Sequence, residues 1–203
     1  MITEEILHKL NPYSTSSWAI WNENDENDLP FFLSRTEKLR NDVVFLGLNR
    51  SGIHKLGFGN FQNFHAKGHR GDAELKKLIQ DQNLVNLTGA YMTDLSEIFE
   101  TNSKKVEINT IASGKKLEEQ LTLLGSGKFT VICFGGDVFK EIISFYKAET
   151  YLRYGMDFAR IERNFQLEIF KLYHYSLNGF NNKNVKEKLP VQLADINNSL
   201  SLE

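Results

Sequence analysis

The stretch VVFLGLNRSG, residues 43–52, decides the predicted fold. Its first part, residues 43–48, is apolar on both alternating faces and rich in β-branched and aromatic side chains. This pattern is typical of a central strand in a parallel sheet that helices cover on both sides. Functional side chains often follow such a strand at its carboxyl end. We therefore expect either one wall of an active site at Asn49, Arg50 and Ser51, or an ordinary turn built from residues that tolerate positive φ.

Strands and helices alternate downstream of this stretch. The pattern predicts strands at 89–93, 129–134 and 167–173, and helices at 72–82, 111–124, 138–147 and from residue 184 onward. Such alternation is typical of a three-layer α/β/α fold with right-handed crossovers and a parallel central sheet. We expect one domain over residues 1–203, with a helical or irregular lead-in over 1–40 and a tag scar at 202–203.

Composition restricts the class of protein. Hydrophobic residues make up 41% of the 203 residues and charged residues 25%, and the formal charge is −2, which argues against a strongly basic nucleic-acid binder. The single cysteine, Cys133, excludes an intrachain disulfide and a four-cysteine cluster. No apolar stretch reaches the ~20 residues of a membrane helix, and residues 1–5 do not resemble a signal peptide. We expect a cytoplasmic monomer without a membrane partner.

Aromatic residues are concentrated in two irregular segments. Phe61 and Phe64, near Lys67, His69 and Arg70, could stack a base and hold a phosphate, or could pack the loop onto the domain. The i, i+4 pair His65 and His69 lacks a nearby cysteine and has a glycine at 68, so we expect no metal site. Trp18 and Trp21 could likewise form a stacking platform or anchor the N-terminal segment.

Polar side chains follow the ends of the predicted strands. Asn49, Asp94, Asp137 and His174 should therefore meet at one edge of the sheet. Known motifs for other chemistries are missing, because the chain has neither a G-x-S-x-G elbow nor a Walker A loop, and no G-x-G-x-x-G follows the first strand.

Two short segments carry a family resemblance. Residues 47–52, Gly-Leu-Asn-Arg-Ser-Gly, resemble the G-I-N-P-G motif of the mismatch-specific uracil/thymine-DNA glycosylases. Residues 174–176, His-Tyr-Ser, resemble the second motif, H-P-S or N-P-S, of the uracil-DNA glycosylase superfamily. Residues 89–95 and 131–135 fall where the second and third strands of that superfamily end, so the resemblance covers residues 40–180.

The resemblance implies a fold, an activity and a set of site residues. The fold would be a central four-stranded parallel sheet in the order 2-1-3-4, and no metal or cofactor would be needed. Asn49 would position the water that attacks the sugar C1′, and His174 would stabilise the departing base. The base would contact Gly47, Leu48, Phe61, Phe64, Asp94 and Ser176. DNA would contact Arg50, Ser51, Lys67, Arg70 and Leu177.

Asp94 stands near the position where many members of that superfamily carry an asparagine. An ionised carboxylate accepts hydrogen bonds but cannot donate one to uracil O4, so a base that offers donors suits it better. Alternatively, Asp94 caps a turn away from the pocket.

Three functions remain open at this point. They are a DNA glycosylase for a flipped uracil or other damaged base, a nucleotide- or nucleic-acid-binding module with little or no hydrolysis, and a hydrolase of small nucleoside-like molecules. A basic stripe of Lys55, Lys67, Arg70 and Arg153 beside the pocket would favour DNA. An Asp94 that points inward would favour an altered base or a small molecule.

Overall fold

The computed structural model describes residues 1–21, 36–50, 61, 63–65, 70–100, 102–175 and 182–201. Within these residues the protein is an α/β structure with one mixed sheet, as the alternation of strands and helices predicts. The five α-helices of the described residues are α1 (Glu4–Leu10), α2 (Arg70–Asp81), α3 (Thr110–Leu124), α4 (Gly136–Tyr146) and α5 (Lys183–Ser199). None of the helices in this part of the chain is both long and apolar enough to cross a bilayer.

The seven strands of the described chain form a single sheet. They are β1 (Ser17–Trp18), β2 (Val43–Arg50), β3 (Tyr91–Phe99), β4 (Lys128–Phe134), β5 (Tyr151–Arg153), β6 (Met156–Glu162) and β7 (Gln166–Leu172). Their order across the sheet is β1-β3-β2-β4-β7-β6-β5. The expectation of a four-stranded, wholly parallel sheet is therefore wrong.

A parallel block forms the centre of this sheet. β2 pairs in parallel with both β3 and β4, and β4 pairs in parallel with β7. Numbered by their own chain order, these four strands lie as 2-1-3-4. The additional strands are antiparallel: β1 borders β3 on one side, and the β5–β6 hairpin borders β7 on the other. This hairpin lies between the predicted helix at 138–147 and the predicted strand at 167–173, where the sequence pattern predicted no strand.

Helices cover both faces of the sheet because its central strands are apolar on both faces. Val44 and Leu46 of β2 belong to a core cluster with α1, α3 and α4, and Val43 and Phe45 belong to a second cluster with α2 and α5. We call these the α3 face and the α2 face. The alternation along β2 places Gly47 and Asn49 on the α2 face as well.

Local signals in the sequence set the helix boundaries. The Thr3 side chain accepts a hydrogen bond from the Ile6 amide at 3.3 Å and caps α1. Asn109 caps α3 in the same way, with 3.0 Å between its side-chain oxygen and the Ala112 amide, and Gly125 ends that helix in the left-handed conformation. Within the lead-in, Thr36–Lys38 forms a 3-10 turn, and residues 22–35 lie outside the described chain.

The lead-in is part of the fold. Trp18 is fully buried and packs edge-on against Tyr91 with 5.0 Å between ring centroids, and Trp21 is only 7% exposed. Both tryptophans therefore anchor the N-terminal segment, and they do not form an exposed stacking platform.

Candidate functional site

The carboxyl ends of the parallel strands meet at one edge of the sheet. From β2 the chain passes through α2 to β3 on one side, and β4 lies on the other side of β2. This reversal of strand order between β2 and β4 is the place where parallel α/β sheets bind ligands. Asn49 lies at the end of β2, Gly135 follows β4, and His174 follows β7.

Asp94 lies inside the sheet and not at a strand end, so the alternative that it caps a turn is wrong. It is the fourth residue of β3, it pairs in register with Gly47 of β2, and it is 3% exposed. A Cβ atom at position 47 would overlap Asp94 Oδ1 and would lie 3.4 Å from Phe64 Cζ. Gly47 therefore leaves the space that the Asp94 carboxyl group and the Phe64 ring share.

Asn63 holds the Asp94 carboxyl group from the other side. Its Nδ2 donates to Asp94 Oδ2 at 2.8 Å and to the Thr15 carbonyl oxygen at 2.8 Å. Because the Thr15 carbonyl oxygen cannot donate, Nδ2 must face it, and the orientation of the Asn63 amide is fixed. Sequence reasoning missed Asn63, since the only local signal was a polar residue between two phenylalanines.

Charges around Asp94 act in opposite directions. Burial raises the pKa of Asp94 to about 7, although the Asn63 hydrogen bond and the charges of Lys116 and Arg50 oppose the rise, and the Asp72 carboxylate adds to it. Lys116 belongs to α3, and its Nζ bonds Thr15 Oγ1 at 3.1 Å and pairs with Glu97 at 3.2 Å. With a pKa of about 7, Asp94 populates both the protonated and the ionised form near neutral pH.

Asn49 has a fixed side-chain orientation at the end of β2. Its Nδ2 lies 2.7 Å from the Glu100 carbonyl oxygen and 3.0 Å from the Arg50 carbonyl oxygen, and the residue is 9% exposed. Both partners only accept hydrogen bonds, so the amide nitrogen must face them and Oδ1 must face away. This arrangement leaves Oδ1 as an acceptor at the edge of the sheet, two residues beyond Gly47 and on the same face.

The pairing of β2 with β3 becomes irregular at this point. Asn49 pairs with Ser96, but Arg50 pairs with Phe99, so β3 carries extra residues opposite the end of β2. Such bulges occur often next to active sites, where they change the direction of a side chain. Arg50 is 9% exposed, and its charge lowers the pKa of Asp94, although burial of Asp94 is the larger effect and raises it.

His174 and Tyr175 approach from the neighbouring strand end. The His174 ring is half-buried, and its Cδ2 would lie 3.7 Å from a Cβ atom at Gly135. His174 stacks on Tyr175 with 4.9 Å between ring centroids, and Tyr175 packs edge-on against Phe134 of β4. Burial raises the pKa of Tyr175, and the charges of Asp72 and Asp94 raise it further, so this phenol stays neutral.

Some predicted site residues lie apart from this cluster. Leu48 and Phe61 pack on the α3 face, whereas Phe64 packs on the α2 face with Gly47 and Asp94. Between the two phenylalanines named for base stacking, the structure therefore places only Phe64 beside Asp94.

The predicted basic stripe is only partly described. Arg153 lies on β5 and forms an ion pair with Glu168 at 3.0 Å. This pair lies on the side of the sheet away from β2. Arg70 is the first residue of α2, and nothing further is described of it. The predicted contacts Ser51, Lys55, Lys67, Ser176 and Leu177 lie outside the described residues.

His65 has a structural partner. It is 3% exposed, and its Nε2 lies 3.0 Å from the Trp18 carbonyl oxygen, so Nε2 carries the hydrogen in this contact. Burial lowers the pKa of His65 to about 4, so the ring is neutral near pH 7. Among the described residues no group of three His, Cys, Asp or Glu side chains could hold a metal ion.

Comparison with known protein families and with curated proteins finds no match for this chain. The chemistry of the site therefore rests on its own residues. Those residues are an oriented amide at Asn49, a buried carboxyl group at Asp94 held by Asn63, an aromatic ring at Phe64, and the His174–Tyr175 pair.

Proposed function

We propose that this protein is an N-glycosyl hydrolase of the DNA glycosylase type, which acts on a base extruded from a nucleic acid strand. The observation that carries the proposal is the orientation of Asn49. Its Nδ2 is held by backbone carbonyl groups, so Oδ1 points away from them, and strand alternation places Asn49 on the face that holds Asp94 and Phe64. An acceptor in that place can orient a water molecule near a base bound beside Phe64 and Asp94.

The proposed reaction needs few groups. A water hydrogen is donated to Asn49 Oδ1, and the water oxygen attacks the sugar C1′ as the bond from C1′ to the base nitrogen breaks. The bonding electrons leave with the base, and His174 donates a hydrogen bond to the resulting anion. The proton lost by the water passes to solvent, and the released base takes up a proton from solvent. The products are the free base and a sugar that carries a hydroxyl group at C1′. Placed dipoles of this kind supply most of the stabilisation in such a reaction.

The test is single-turnover base excision by the wild type and by Asn49→Ala. Labelled single and double strands would contain uracil, hypoxanthine, xanthine, 8-oxoguanine or a G·T mismatch. We expect product with at least one base, and a rate about 10²–10³ lower for Asn49→Ala. Asn86→Ala is the matched control, because Asn86 also bonds backbone through Nδ2, at 3.0 Å from the Asn197 carbonyl oxygen. It should keep the wild-type rate.

A second candidate is a hydrolase of free nucleoside-like molecules. The formal charge of −2 favours it, because binding to a DNA duplex draws much of its free energy from neutralised phosphates. The same assay should include free deoxynucleosides. Cleavage of deoxynucleosides without cleavage of any oligonucleotide would support this second candidate. Binding of oligonucleotides without product from any substrate would contradict both hydrolase proposals and would leave a binding module.

A further inference from the structure

The hydrogen-bonding capacity of the Asp94–Asn63 pair is restricted by its geometry. Both Nδ2 contacts of Asn63 go to acceptors, namely Asp94 Oδ2 and the Thr15 carbonyl oxygen, each at 2.8 Å. The amide therefore has no hydrogen left for a ligand. When Asp94 is ionised, both of its oxygens can only accept. The pair then offers a ligand acceptors alone.

Base edges differ in what they present to such a pair. The imide edge of uracil, like the lactam edge of hypoxanthine, places an N–H donor beside a carbonyl acceptor. The acceptor would face a carboxylate oxygen without a hydrogen between them. Guanine has the same N–H and carbonyl group, but its 2-amino group on the other side of that N–H also allows a pairing in which both positions donate. Unmatched acceptors in a buried site are costly, and they reject a ligand more strongly than a missing contact does.

We propose that Asp94 selects the base, and that it selects an edge with two neighbouring N–H donors, such as that of an oxidised or alkylated guanine, over the imide edge of uracil. This inference rests on the function proposed above and names its substrate class. Phe64 supports it, because its ring lies beside Gly47 and Asp94 and can cover the face of the bound base.

Protonation of Asp94 should reverse the preference. A protonated carboxyl group presents an O–H donor beside a carbonyl acceptor, which complements the imide edge. The groups that act on Asp94 are Asn63, Lys116 of α3, Asp72 of α2 and Arg50 of β2, and the neutral Tyr175 phenol lies within range of the Asp94 charge. Since the pKa of Asp94 is about 7, the donor-rich edge should be preferred above pH 7 and the imide edge below it.

Deoxyguanosine and deoxyinosine provide a matched pair of probes, because they differ only in the 2-amino group. Their dissociation constants can be measured by calorimetry with the Asn49→Ala protein, in which hydrolysis is suppressed. At pH 8.5 we expect deoxyguanosine to bind about tenfold more tightly. At pH 5.5 the dissociation constant of deoxyinosine divided by that of deoxyguanosine should fall to one or below. Asp94→Asn, which replaces one acceptor by a donor at nearly constant volume, should favour deoxyinosine at both pH values.

Asp72→Asn is the control for charge. It removes a neighbouring buried carboxylate without changing the contacts at Gly47, so the ratio at pH 8.5 should remain as in the parent protein. Each of three results would overturn the inference. The first is a ratio of the two dissociation constants that does not change with Asp94→Asn, and the second is a preference for deoxyinosine at pH 8.5. The third is that the folded protein binds neither nucleoside.

The two proposals fail in different ways. In one outcome, excision depends on Asn49 while the nucleoside preference stays the same in Asp94→Asn. That result would overturn only the selection of the base by Asp94. A preference that reverses with Asp94→Asn, without excision of any base, would overturn only the hydrolase function.

Discussion

Asp94 and His65 are two buried titratable side chains whose pKa values are displaced in opposite directions. Burial raises the pKa of Asp94 from 3.8 to about 7 and lowers that of His65 from 6.5 to about 4. One pKa unit corresponds to about 1.4 kcal/mol, so the two displacements amount to roughly 4 and 3 kcal/mol. The two effects act over nearly the same range of pH.

The signs of the two contributions are opposite. Between pH 3.8 and about 7 the folded protein keeps a proton on Asp94 that the unfolded chain has released, so stability falls as the pH rises. Between pH 6.5 and about 4, His65 binds a proton in the unfolded chain but not in the folded protein, so stability falls as the pH decreases. From about pH 4 to 6.5 the two contributions therefore cancel.

We predict that Asp94→Asn removes the compensating effect of Asp94, so that the effect of His65 on the pH dependence of stability can be measured. Relative to the wild type, the free energy of unfolding of the variant should fall by roughly 3 kcal/mol between pH 6.5 and 4. At pH 8 the variant should be the more stable protein, because it no longer buries a carboxylate. Urea denaturation across this pH range measures both effects. Parallel pH profiles for the two proteins would contradict the prediction.

At the scale of the element, α3 shows why helix propensity alone misleads. The residue at position 114 is a glycine in the middle of the helix, where alanine is better by about 1 kcal/mol. A Cβ atom there would overlap the ring of Phe145 on α4. Gly114 therefore allows α3 and α4 to pack closely on the same face of the sheet.

We predict that Gly114→Ala destabilises the protein by about 1–3 kcal/mol, although the substitution favours the helix itself. The cause is the displacement of the Phe145 ring by the new methyl group. Thr122→Ala, on the exposed side of the same helix, serves as a control and should change stability by less than about 0.5 kcal/mol. Thermal denaturation followed by circular dichroism compares the two, and a higher melting temperature for Gly114→Ala would refute the packing argument.

The molecule as a whole joins a parallel block to an antiparallel extension, and one carboxylate links the two. Glu168 of β7 is 4% exposed, bonds Arg160 of β6, and pairs with Arg153 of β5 at 3.0 Å. Burial tends to raise the pKa of Glu168, but the hydrogen bonds and charges of both arginines outweigh it, so the pKa is lowered. This contribution to stability is present above about pH 4.5, the ordinary value, and is lost as the pH falls below it.

Glu168→Gln should loosen the hairpin from the parallel block. We expect a loss of about 2 kcal/mol, because two arginines lose their charged acceptor. Amide hydrogen exchange should speed up in β5 and β6 before it does in β2 and β4. Glu162→Gln, at an exposed position of β6, is the control and should leave exchange unchanged. Uniformly faster exchange across the sheet would show that Glu168 does not act on the hairpin selectively.

The sequence by itself determined the elements of the parallel block. Apolar runs at β2 and β4, the alternating pattern at β7 and the spacing of the helices are local properties, so they could be read to within a few residues. The same properties indicated a polar edge at Asn49 and His174.

Only the tertiary structure decided what lies beside those residues. Several features depend on contacts between distant segments of the chain. They are the place of Asp94 inside β3, its contacts with Gly47 and Asn63, the separation of Phe61 from Phe64, and the β5–β6 hairpin. Residues 94 and 47 are far apart in the chain, and no periodicity within either strand encodes their register. Periodicity specifies which face of a strand is buried, whereas the partners on that face follow from how strands and loops pack.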